Sequence, residues 1–112
     1  MDKTTFRRPP KWWAPKLSPR WVRFWQPLRH VIQHKIQRLE DIEVRGLEIL
    51  RETLSAGHGV LITPNHSGHS DAIVLCRTAE QLGTPYFFMS AWQVFGRANW
   101  LRKKIFQQHG CF

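Results

Sequence analysis

Apolar residues recur at Trp21, Trp25, Leu28, Ile32, Ile36 and Leu39, at spacings of three or four. That period marks one face of a helix. Arg20, Arg23, Arg29, Lys35 and Arg38 fall mainly off the stripe, so the predicted helix is amphipathic and basic. Ser18-Pro19 reads as its start, with Ser18 as N-cap and Pro19 in the first turn. Pro27 lies inside the stripe and should kink the helix or split it in two. Ahead of it, Pro9, Pro10 and Pro15 stand among bases and aromatics, a pattern that predicts an extended arm.

Beyond residue 40 the pattern changes to short apolar runs separated by helical stretches. Residues 42–44, 59–63 and 85–90 read as strands. Residues 47–56, 70–82 and most of 96–108 read as helices, with Gly57 or Gly59 and then Gly83 as stops. Ser70 or Asp71 can cap the second of these helices. Strands alternating with helices predict an α/β fold: a partial, mostly parallel sheet with covering helices, preceded by the basic amphipathic N-terminal helix.

Charge divides the chain in the same way. Residues 1–39 carry ten Lys or Arg and one acid, Asp2, whereas residues 40–112 carry seven of each sign. The basic excess is therefore N-terminal, and Trp12, Trp13, Trp21 and Trp25 lie within it. Indole rings favour the headgroup level of a bilayer, and bases are drawn to an anionic surface. These four tryptophans are the expected membrane contacts. No apolar run reaches the ~20 residues of a membrane span, and the first thirty residues lack a signal-peptide core. The expected location is cytoplasmic and peripheral to a membrane carrying anionic lipid. Cys76 and Cys111 form neither a disulfide framework nor a paired metal motif, and no metal is expected. No nucleic-acid recognition motif accompanies the basic aromatic arm, so nucleic acid is not an expected partner.

The chemistry concentrates in Asn65-His66-Ser67-Gly68-His69-Ser70-Asp71. A base and its orienting carboxylate stand five residues apart, with Gly68 between them to ease a turn. Imidazole can take a hydroxyl proton near neutral pH, and a carboxylate on its other nitrogen fixes the tautomer. Asp71 at a helix N-terminus would stay ionised. Two other uses compete for these residues. His66, His69 and Asp71 could ligate a metal, although Ser67 and Ala72 break the metallo-β-lactamase pattern. Residues 68–72 imitate a nucleophile elbow, but Ser70 lies too far past the apolar run. His69 reads as a pocket-wall or surface residue, and His30 with His34 as part of a solvated basic face.

Strand, Gly46, helix, buried strand, Asn65-His66, Asp71, helix: this order resembles the glycerolipid acyltransferase superfamily, the lysophosphatidate acyltransferase-like enzymes with an H-x-x-x-x-D motif. The resemblance covers roughly residues 40–112. Gly110-Cys111-Phe112 is similar to the opening of the family's second block, which binds the acceptor, and there the chain stops. The resemblance implies two parts: an arm with an amphipathic helix at 1–39, and the truncated N-terminal part of an acyltransferase domain at 40–112. It implies transfer of a fatty acyl group to a glycerol phosphate or lysophospholipid hydroxyl. The donor would be acyl-CoA or an acyl carrier protein, with no bound cofactor. His66 would be the general base, Asp71 its partner, and Gly110 and Phe112 part of the acceptor site. A non-catalytic module binding lipid or nucleic acid through the basic arm is the alternative.

Overall fold

The computed structural model describes residues 11–66, 68 and 70–112. The part of the expected extended arm at residues 1–10 lies outside them. The chain forms two compact units, one of residues 1–24 with 86–112, the other of residues 25–85. The described residues form five α-helices and one π-helical stretch: α1 (Pro19–Val31), the π-helix (Ile32–Ile36), α2 (Leu47–Ser55), α3 (Asp71–Leu82), α4 (Trp92–Gly96) and α5 (Trp100–Gln108). None is long and apolar enough to cross a membrane.

The amphipathic helix forms where the stripe places it. Ser18 Oγ lies 3.5 Å from Trp21 N, and α1 runs through Pro27 to Val31. Pro27 offers no N–H to the preceding turn, yet the helix is not split there; its ring faces solvent. Beyond Val31 the bonding widens to i→i+5, with Gln37 N donating to Ile32 O at 2.9 Å.

In the unit of residues 25–85, α2 and α3 follow the sequence closely. α3 stops at Gly83, whose φ of +83° suits a residue without Cβ and whose N–H returns to Ala79 O and Glu80 O. Ala79 and Leu82 are buried, as are Arg29 and Gln33. A buried arginine needs a partner. Arg29 Nη2 donates to Glu80 Oε1 at 2.9 Å, and Arg77 Nη1 donates to Glu80 Oε2 at 2.8 Å.

In the other unit, Phe95 of α4 is 1 % exposed. It stacks on Trp13 (5.6 Å, 8°) and meets Phe106 of α5 edge-on (6.1 Å). Burying such a side chain is worth roughly 1.5–3 kcal/mol. Asn99 starts α5 by accepting from Arg102 N at 2.9 Å. The expected helix over 96–108 is thus interrupted at residues 97–99. The extended segment before α1 is tied to the end of α5 by Lys16 N to Gln107 O and Ser18 N to Gln108 O, both 3.0 Å.

The expected parallel sheet is absent: the described residues contain no strand, and the fold is helical rather than α/β. Residues 42–44 and 59–63 pair with nothing in a ladder. Residues 85–90 contribute one parallel bridge, Phe88 with Cys111, through Phe88 N to Gly110 O and Phe112 N to Phe88 O. A strand completes its hydrogen bonds only on a neighbour, and a few isolated residues do not hold a ladder. Nor does burial drive one here, since Leu61 is 85 % exposed.

Candidate active site at the start of helix α3

Residues 64–66 lead into a turn at Gly68, and α3 begins at Asp71. Asp71 N approaches Gly68 O at 3.4 Å, and Gly68 N donates to Asp71 Oδ2 at 3.2 Å. The turn therefore closes on the carboxylate. Ser70, the N-cap by position, makes no side-chain cap. The same Oδ2 lies 2.7 Å from His66 Nδ1.

An ionised carboxylate accepts only, so Nδ1 carries the hydrogen of that bond and Nε2 carries the lone pair. Asp71 sits in the first turn of α3, where the helix dipole favours negative charge. The carboxylate is 26 % exposed and the imidazole 88 %. The pair is thus an oriented imidazole presented to solvent, able to accept a proton from an approaching hydroxyl. Ser67 and His69 lie outside the described residues, and with them the pocket-wall reading of His69 and one ligand of the metal alternative. Among the described residues no group of three His, Cys, Asp or Glu is placed to hold a metal.

Gly110 and Phe112 take part in backbone pairing. Gly110 has φ +78°, and Phe112 pairs with Phe88 and meets Trp12 edge-on at 5.8 Å. Trp12 is 66 % exposed and Trp21 45 %, whereas Trp13 and Trp25 are half-buried.

His30 corrects the reading of a solvated face. Its Nε2 lies 2.9 Å from Glu80 Oε2 and 3.0 Å from Arg77 Nη1. One ring nitrogen cannot both donate to a carboxylate and accept from a guanidinium; with Glu80 ionised it donates to Glu80. Burial raises the Glu80 pKa, but hydrogen bonds from His30, Arg77 and Arg29 outweigh burial and leave it below the ordinary value. Cys111 moves the other way: burial pushes its thiol up, against a smaller lowering by a hydrogen bond with Ser90. Its thiolate is therefore disfavoured. The Glu80 cluster gave only a local hint in the sequence, Arg77 one turn before Glu80. Lys103 and Lys104, which line a cavity with Trp13, gave none beyond the basic end of a helix.

No family model, curated protein or solved structure matches this chain.

Proposed function

We propose that this chain carries the general base of an acyl transfer from a thioester to an alcohol. The observation that supports it is the 2.7 Å bond between His66 Nδ1 and Asp71 Oδ2. The H-x-x-x-x-D resemblance supplies the substrate class: a fatty acyl thioester of coenzyme A or acyl carrier protein, and a glycerol phosphate or lysophospholipid acceptor. The reading rests on this site and not on the fold.

His66 Nε2 accepts the acceptor's hydroxyl proton as the oxygen attacks the thioester carbonyl. Asp71 stabilises the imidazolium that results. The tetrahedral intermediate then collapses, the C–S bond breaks, and the imidazolium returns its proton to the leaving thiolate. An ester and a thiol are formed, with no covalent acyl-enzyme. A base of this kind contributes on the order of 10²–10⁴ in rate. Basic and indole side chains support a reaction at an anionic membrane surface, with Trp12, Trp13, Trp21 and Trp25 as the proposed contacts.

The test is transfer of labelled acyl chains by a protein carrying this sequence. His66→Ala should remove turnover, and Asp71→Asn should lower it by at least about 10²-fold by disturbing the ring's tautomer. Equal turnover by wild type and His66→Ala, with both folded, refutes the assignment.

A further inference from the structure

The two units differ in charge more sharply than the two ends of the sequence do. Residues 1–24 and 86–112 hold eleven Lys or Arg and one acid, a net of +10, while residues 25–85 hold six bases and seven acids, a net of −1. Asp2, that one acid, lies outside the described residues. The described residues of the first unit therefore include no Asp or Glu side chain. Aromatic rings take that place. Lys11 and Lys103 lie over Trp13, their Nζ atoms 4.4 and 4.9 Å from the ring centroid. Lys104 lies over Trp100 at 5.3 Å.

All of these but Lys11 border a cavity of about 660 Å³, lined by Trp13, Lys16, Trp21, Trp100, Lys103 and Lys104 among others. Local structure explains the grouping. Positions 100, 103 and 104 are one turn apart on α5, which sets an indole and two ammonium groups on one helix face. The segment tied to the end of α5 brings Lys16 and Trp13 to the same place.

Three ammonium groups in a cavity with no Asp or Glu among its described lining residues call for an anion of more than one charge. Phosphate is the common anion that accepts from several lysines at once. The surround selects further. Trp100 is 73 % exposed, and Trp21, 45 % exposed, meets the exposed Phe24 edge-on at 5.2 Å. A phosphate seated between the lysines would have apolar rings at its margin, the setting of a headgroup joined to acyl chains. Single-stranded nucleic acid also pairs phosphates with indoles, but it needs open ring faces for its bases. Trp13, the indole at the centre of the group, is already stacked on Phe95 and covered by two lysines.

We propose that this cavity binds the phosphate headgroup of an anionic glycerolipid, a phosphate monoester being the best match to its three lysines. The proposal rests on the lipid reading above, but its test does not depend on turnover.

The test is sedimentation of the full chain with phosphatidylcholine vesicles, with and without phosphatidate. Phosphatidate should promote binding. Replacing Lys103 and Lys104 together by Ala should weaken it by about 30-fold, the effect of roughly 1 kcal/mol per base near an anionic surface. The same charge removed as Arg45→Ala with Arg51→Ala, both exposed in the other unit, should change it less than about threefold. If the double Ala variant loses helicity by circular dichroism, Lys103→Gln with Lys104→Gln replaces it and should show the same loss. Equal weakening by the two pairs of substitutions overturns the proposal. So does tighter binding of a single-stranded oligonucleotide, or of soluble glycerol 3-phosphate, than of the vesicles. His66→Ala should keep wild-type vesicle binding. Loss of turnover there with binding intact separates the two sites, and failure of either prediction leaves the other standing.

Discussion

A single carboxylate organises the ion cluster of residues 25–85. Glu80 is 11 % exposed at its side chain, and Arg29, which it holds at 2.9 Å, is 8 % exposed. Removing one partner of such a pair strands the other's charge, so Glu80→Ala should cost about 3–5 kcal/mol. The pH dependence follows from the lowered Glu80 pKa. Its folded value lies below the ordinary 4.5, so the unfolded chain takes up the proton first. The stabilisation is complete above that value and is lost as pH falls through the folded one. Urea midpoints should hold steady from neutral pH down to about 5 and then decline. In Glu80→Gln the part of that decline due to this group should vanish; an unchanged decline would show that other carboxylates set it. The contrast with His66 shows what a sequence discloses at this scale. His66 and Asp71 meet across five residues, through a turn at Gly68 and a helix start that local rules describe. Arg29 and His30 reach Glu80 across 51 and 50 residues, and no local rule records that meeting.

The same distinction governs the elements. α2 and α3 were legible because apolar spacing and a terminal glycine act within one helix. The strands were not, because a ladder depends on what the rest of the chain places alongside. Residues 60–62 carry a strand composition and find no ladder partner among the described residues, whereas residues 86–90 find one bridge there, to Cys111. Gly110 makes that bridge possible. Its φ is +78°, and a Cβ there would stand 2.7 Å from Tyr86 O, a backbone atom that cannot swing away. Gly83 has nearly the same φ, +83°, but open space around it. Gly83→Ala should therefore cost only the left-handed backbone penalty, about 1–2 kcal/mol. Gly110→Ala should add a steric cost, for a total of about 3 kcal/mol or more, and should disrupt the Phe88–Cys111 pairing. Denaturant unfolding of the two variants gives the comparison. Equal destabilisation would mean that residues 86–88 shift at no cost.

For the whole molecule, the sum of +9 conceals two opposite electrostatic situations. Within residues 1–24 and 86–112, like charges repel one another with almost no acid to offset them. Within residues 25–85, bases and acids nearly balance, and Glu80 joins two of the bases, Arg29 and Arg77, and the His30 ring. Salt acts on these in opposite directions. It screens repulsion in the first and weakens attraction in the second, as the Debye length falls from about 30 Å at 0.01 M to about 8 Å at 0.15 M. Amide hydrogen exchange can read both units in one sample. Over that range α5 should gain protection by about fivefold, on the order of 1 kcal/mol, since Arg102, Lys103 and Lys104 stand next to one another on it. α3 should stay level or lose protection slightly, because its buried ion pairs are only partly screened. Phosphatidate vesicles should reproduce the α5 effect at low salt if the lysine–indole cavity is where the anion goes. A parallel gain in both helices would point to a general effect of salt on burial and would remove charge segregation as the cause.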